Sequence, residues 1–133
     1  MTKPSVLVVD DESIIRENLQ AYLEDEGMRV VSVASAEEAL ACVEDGDYCF
    51  DVCIMNIRLP GMDGHAAVQA LHALCPEVRF IIHTGSVNYT LPKELCALGL
   101  KANQIYLKPV DDMAPLAAMI LRLTVRRRRS LER

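Results

Sequence analysis

The chain of 133 residues contains no apolar run near the roughly 20 residues needed to cross a bilayer, which excludes a helical membrane span. It contains no CxxC pair. Its five cysteines, Cys42, Cys49, Cys53, Cys75 and Cys96, are odd in number, which argues against a disulfide framework. Cys49 and Cys53 flank or occupy a strand pattern, where their spacing makes no zinc knuckle, so free thiols in or near the core are expected. No repeat, low-complexity segment or internal linker divides the sequence, and one domain is expected. The N-terminus leaves no room for a signal peptide, because Met1-Thr2-Lys3-Pro4 runs straight into a strand pattern; the expected compartment is the cytoplasm.

Basic residues are scarce until the end. Residues 1–121 hold 8 Lys and Arg against 18 Asp and Glu, whereas residues 122–133 hold six Arg and one Glu. An acidic body of this kind is a poor nucleic-acid surface. The run Arg126-Arg127-Arg128-Arg129 admits three readings. It can be a helix C-terminus favoured by the helix dipole, the start of a linker to an output module, or a nucleic-acid-binding arm.

What the chain does have is alternation. Apolar, β-branched runs at 5–9, 29–33, 51–55, 79–83 and 104–107 are nearly continuous, as suits strands covered on both faces. Between and after them, helical spacing is carried by Ile15, Leu19 and Leu23; by Ala36, Ala39 and Val43; by Val68, Leu71 and Leu74; by Leu91, Leu95 and Leu98; and by Leu116, Ile120 and Leu123. Ser35 with Glu38 reads as a capping box and Gly27 as a helix C-cap. Asp111-Asp112 reads as the cap of the last helix, with Pro115 tolerated in its first turn. The pattern implies an α/β fold: a doubly wound, five-stranded parallel sheet with helices on both faces.

Four of the five apolar runs end in polar residues: Asp10-Asp11, Asn56 with its loop, Thr84-Gly85 and Lys108-Pro109. In an open parallel sheet those strand ends converge on one crevice. Asp11 is expected to contact a magnesium ion directly, Asp10 to act behind it, and Arg58 to add a backbone carbonyl, the hard oxygen donors that Mg2+ prefers. Thr84 offers a hydroxyl. Lys108 supplies a compact cation for a phosphoryl oxygen or a carboxylate. A cis bond before Pro109 would set the direction of that lysine. Strand alternation turns His83 away from the crevice, and His65 and His72 are expected on the surface of the third helix.

The segments Val8-Val9-Asp10-Asp11-Glu12, Met55-Asn56-Ile57-Arg58-Leu59-Pro60-Gly61-Met62-Asp63-Gly64, His83-Thr84-Gly85 and Leu107-Lys108-Pro109, in this order, resemble the receiver domain of two-component response regulators. The resemblance covers residues 4–123, leaving 124–133 as a basic helical extension or the start of a linker to an output domain. It implies a (βα)5 flavodoxin-like fold. It implies Mg2+ held by Asp10, Asp11, the side chain at position 56 and the carbonyl of Arg58. It implies transfer of a phosphoryl group, from a histidine kinase or a histidine phosphotransfer protein, to an aspartate at the place of Asn56, with Thr84 and Lys108 assisting. Repacking of the fourth helix and fifth strand would then act on an output domain, attached or separate, or on a homodimer through that face. Neither membrane nor nucleic acid is an expected partner of this domain.

Asn56 departs from that pattern. A carboxamide is no nucleophile, so self-phosphorylation is expected to be lost and the chain not to act as an enzyme. Metal binding should weaken with the missing charge, while like-charge repulsion is relieved. Two readings follow: an Asp→Asn replacement that blocks phosphorylation, favoured because every neighbour is retained, or a natural pseudo-receiver acting as a protein–protein interaction module. A magnesium-dependent α/β hydrolase is a third reading, but it needs its own aspartate nucleophile and a cap domain. The family's switch aromatic is replaced by Ile105, with Tyr106 on the opposite side of the strand, and residues 88–104 suggest an atypical fourth-helix region.

Overall fold

The structure, a computed structural model, describes residues 2–44 and 50–132. The chain runs β1 (Ser5–Val9), α1 (Ser13–Asp25), β2 (Arg29–Val33), α2 (Ala36–Glu44), β3 (Val52–Asn56), α3 (Gly64–Leu74), β4 (Arg79–Thr84), α4 (Lys93–Ala97), a 3-10 turn (Ala102–Gln104), β5 (Ile105–Leu107) and α5 (Ala114–Leu131). All strands are parallel in one sheet ordered β2-β1-β3-β4-β5. This is the expected doubly wound fold.

Strand alternation divides the core into two layers. Leu7, Val9, Cys53, Met55, Phe80 and Ile82 face α2, α3 and α4. Val6, Val8, Val52, Ile54 and Ile81 face α1 and α5, where Leu19, Leu23, Leu116, Ile120 and Leu123 meet them. Each such fully buried aliphatic side chain contributes about 1.5–3 kcal/mol, so the two layers dominate the stabilising terms.

Local signals explain the element ends. Ser35 Oγ accepts the Glu38 N–H at 3.1 Å, and the Glu38 carboxylate reaches back to the Ala34 N–H at 2.7 Å. Gly27, at φ +87°, ends α1 with Met28 N–H donating to the Leu23 carbonyl at 3.0 Å, a left-handed cap that glycine adopts without penalty. At α5 the expected cap shifts: Met113 holds the N-cap position, while Asp112 accepts the Ala114 N–H at 3.0 Å. β3 extends one residue past its apolar run, because Asn56 still pairs with His83 of β4. The fourth helix is only five residues, bounded by Pro92 and by Gly99 at φ +100°. Cys42, Cys53 and Cys96 are free thiols, and the reading of Cys49 lies outside the described residues.

The tail extends the last helix, as one reading expected, and adds a contact that none of the readings foresaw. α5 continues unbroken past residue 123, because two arginines of the basic run fold back onto the sheet. Asp51, buried at the start of β3, accepts Arg127 Nη1 at 2.9 Å and Arg128 Nη2 at 3.1 Å, as well as the Ser5 N–H at 2.9 Å. Arg128 also donates to the carbonyls of Thr2 and Lys3. Arg126 and Arg129 remain exposed. The run is therefore half clamp and half solvated surface.

Candidate functional site

The C-terminal ends of β1, β3, β4 and β5 bring Asp10, Asp11, Asn56, Thr84 and Lys108 together at one rim of the sheet. A cleft of about 570 Å³ there is lined by Asp11, Glu12, Asn56, Arg58, Thr84 and Lys108, among others.

The two aspartates divide their work. Asp10 is 1% exposed and its Oδ2 lies 2.7 Å from Lys108 Nζ, while Oδ1 accepts the Glu12 N–H at 2.9 Å. Its negative charge is committed to the lysine, which also lies 3.6 Å from Glu12 Oε1. Asp11 is exposed and faces Asn56. Lys108 is fixed by its own backbone: its N–H donates to the Thr84 carbonyl at 2.8 Å and the Lys108-Pro109 bond is cis. Thr84, buried, accepts the Ser86 N–H at 3.2 Å, which holds the loop after β4 against the cleft.

Asn56 carries the most telling geometry. Its Nδ2 donates to Asp11 Oδ1 at 3.2 Å and to the Arg58 carbonyl at 3.0 Å. An oxygen in that place would face two acceptors and no donor, so the network sets the amide orientation. Gly64 makes this loop possible. A Cβ there would strike the Asn56 carbonyl oxygen and lie 2.6 Å from Ile57 Cα, so α3 starts directly on the end of β3.

The donor chemistry can be weighed against Mg2+. Oxygens at a mutual spacing of about 3 Å span one face of an octahedron with bonds near 2.1 Å. The atom at position 56 has that spacing from Asp11 and from the Arg58 carbonyl, and the carboxylates of Asp10, Asp11 and Glu12 lie within 4.8 Å of one another. The atom at position 56 is an N–H donor, however, and Asp10 is neutralised by Lys108. The framework fits the ion; the charge set is one carboxylate short.

His83 is turned to the α1/α5 side and is 4% exposed. Burial, then the Lys108 ammonium, push its imidazole down from 6.5 to about 4, with Asp10 opposing. The folded chain thus resists a proton that the unfolded chain takes up. Stability should fall as pH drops from about 6.5 to about 4, by as much as about 3 kcal/mol, and be unaffected by this group above that window. Urea unfolding of the chain and of His83→Phe between pH 4 and 7 checks this. The pH slope should be shallower in the variant; parallel curves would contradict it.

The sequence reading missed one part of the site and one contact outside its lining. Glu12 joins Lys108 at the rim although it reads locally as a helix-start acid. His65, expected to be a plain surface residue, has its Nε2 2.8 Å from the Tyr89 hydroxyl and its ring stacked on that tyrosine at 5.6 Å. Burial raises the Tyr89 hydroxyl to about 12, so it stays protonated. The contact ties the start of α3 to the loop after β4, across a separation of 24 residues that no local pattern reveals. The rest of the histidine reading is unremarkable: His72 is half-buried on α3.

Residues 6–120 match the family described as response regulator receiver domain. The chain is 42% identical over 85 residues to the transcriptional regulatory protein AruR of Pseudomonas aeruginosa, covering 62% of this chain and 34% of that protein. It is 33% identical over 115 residues to the transcriptional regulatory protein FixJ of Azorhizobium caulinodans, covering 86% of this chain and 52% of FixJ. The chain thus spans between a third and a half of these curated relatives. Among solved structures, it resembles a CheY-like response regulator receiver domain protein from Methanospirillum hungatei, with a TM-score of 0.79 at 27% identity, covering 97% of this chain and 99% of that one. A receiver domain from Clostridium thermocellum matches with the same TM-score and identity, over 94% and 97% of the two chains.

Proposed function

Because this chain belongs to the response regulator receiver domain family, we propose that it is a signal-receiving module whose phosphoacceptor position is filled by Asn56, so that it stays unphosphorylated. One observation carries the reading: Asn56 shares a cleft with Asp11, Thr84 and Lys108. With an aspartate at 56, a carboxylate oxygen would attack the phosphorus of a phosphohistidine or of an acyl phosphate, forming an acyl phosphate while the P–N or P–O bond to the donor breaks and its imidazole or carboxylate leaves. Lys108 and Thr84 would take phosphoryl oxygens, with Asp10 holding the lysine in position. Asp11, the side chain at 56 and the Arg58 carbonyl would hold Mg2+, which neutralises charge on the transferring group.

The isolated loss of one carboxylate, with every neighbour kept, favours an Asp→Asn replacement that blocks phosphorylation. The natural pseudo-receiver reading draws on a different observation: the amide satisfies Asp11 and Arg58 without any metal, leaving a pocket complete in itself. In the first reading the partners are a histidine kinase or phosphotransfer protein on one side and an output domain on the other, in the cytoplasm; in the second the chain binds a protein partner without phosphorylation. Among the described residues no helix is long and apolar enough to cross a membrane. The fold-back of α5 supports a domain that includes residues 124–131 rather than one that stops at 123.

Thermal melts test the amide. Without Mg2+, Asn56→Asp replaces two hydrogen bonds with two oxygen–oxygen repulsions and should lose about 1–3 kcal/mol, or about 4 °C per kcal/mol. Millimolar Mg2+ should raise the melting temperature of the aspartate form and leave the asparagine form nearly unchanged. An aspartate form at least as stable without metal would refute this account of Asn56.

A further inference from the structure

One carboxylate of the rim has no task in the transfer proposed above. Asp10 holds Lys108, Asp11 faces the side chain at position 56, and the Arg58 carbonyl completes that corner. Glu12 does none of this. Its side chain is 56% exposed, and its Oε1 lies 3.6 Å from Lys108 Nζ on the wall of the first cleft. The two carboxylates on the lysine are unequal. Asp10 is buried, with Oδ2 2.7 Å from Nζ and Oδ1 fixed by the Glu12 N–H. Glu12 is the N-cap residue of α1, yet its side chain makes no capping bond. Its part in the helix is played by its backbone, whose carbonyl accepts the Arg16 N–H at 3.1 Å. At 3.6 Å from the ammonium it is paired by charge and not by a hydrogen bond.

An ammonium has three N–H donors, of which Asp10 takes one. A phosphoryl group that takes another must come from the cleft side, because Asp10 is buried and Glu12 lines the cleft. Glu12 then opposes it twice, as a rival for the lysine's charge and as a like charge. Both effects grow with the negative charge on the donor. Magnesium is the other use for Glu12, whose carboxylate lies within 4.8 Å of those of Asp10 and Asp11. An ion held there would sit beside the Lys108 ammonium and be repelled by it. Resting on the receiver reading, we propose that Glu12 sets the donor selectivity of the cleft. It is a displaceable counter-ion of Lys108 that slows phosphoryl donors according to their negative charge, and so favours phosphoramidate-type donors over the more highly charged acyl phosphates. It is a positioning residue, acting through Lys108 and touching no reacting atom.

The experiment uses the full chain carrying Asn56→Asp, with and without Glu12→Gln, at pH 7 and saturating Mg2+. Two donors are compared by the initial rate of adduct formation. Acetyl phosphate is a dianion; its P–O bond breaks and acetate leaves as the new aspartate forms its acyl phosphate. Phosphoramidate is a monoanion at this pH; its P–N bond breaks and ammonia leaves with the protons it carries. Glu12→Gln should speed acetyl phosphate about fivefold, the order expected for one exposed charge acting on a dianion a few ångströms away, and phosphoramidate about twofold. Both gains should shrink toward one at about 0.5 M salt. A merely structural role for Glu12 would move both donors alike and would not respond to salt. The melt of Glu12→Gln confirms folding, and Glu17→Gln, an exposed α1 acid that does not line the cleft, should change neither rate. An equal gain for the two donors, a gain matched by Glu17→Gln, no gain, or a slower rate, as for a carboxylate that serves the metal, would each overturn the proposal and leave the receiver reading standing. No adduct on Asn56→Asp from either donor would overturn both.

Discussion

Replacing Asp51 with alanine should lower the unfolding free energy by about 3–5 kcal/mol, among the largest losses open to a single substitution in this chain. Asp51 is 3% exposed and accepts from Arg127, Arg128 and the backbone of Ser5. Its own N–H donates to Ser5, and its carbonyl accepts from Arg79. One carboxylate thus gathers the N-terminal strand, the start of β3 and the end of α5. Truncating it removes the carboxylate that faces the buried Arg127 guanidinium, and breaking a buried ion pair in this way costs more than the pair itself contributes. Urea unfolding gives the number, and hydrogen exchange should show the last turns of α5 opening first. Arg126→Gln and Arg129→Gln, on the exposed face, should stay within about 0.5 kcal/mol of the parent. A loss at Asp51 no larger than at Arg126 would show that the clamp is ornamental and that the basic run is solvated throughout.

The second large effect is a gain. Asn56→Asp should convert an inert cleft into one that takes a phosphoryl group from acetyl phosphate in the presence of Mg2+. On the proposed reading, the charge that develops on the transferring oxygens falls to Lys108, which is held by Asp10 at 2.7 Å and by its own N–H to Thr84. Such preorganised donors typically contribute 10²–10³-fold to a rate, so Lys108→Met in the Asn56→Asp chain should slow phosphorylation by about that factor. The initial rate of adduct formation measures it. A rate insensitive to Lys108 would mean that the lysine serves Asp10 and the fold rather than the transfer.

Much of this architecture is written locally. The strands announce themselves as runs of branched apolar residues, and alternation within them assigns each side chain to one helical layer or the other, as in Ile81 against Ile82. The polar cluster is legible for the same reason: in a parallel sheet, whatever follows an apolar run arrives at a shared rim. Contacts between distant segments are not legible. Asp51 reads as the first residue of a strand and Arg127 as one of four solvated arginines, and nothing within either segment points to the other 76 residues away. His65 and Tyr89 are hidden likewise. The direction of the Asn56 amide depends on a carboxylate 45 residues earlier, so sequence gives its missing charge but not its two bonds. The short fourth helix lies between these cases, since Pro92 and Gly99 punctuate it openly while the core contact of Leu95 is not written locally.

Intact mass after incubation with acetyl phosphate and Mg2+ goes most directly to the question of a receiver pocket lacking only its nucleophile. The parent should keep its mass, and Asn56→Asp should gain a single labile adduct of about 80 Da, one phosphoryl group. An unchanged mass for the folded aspartate form, or an adduct on the asparagine parent, would contradict that account.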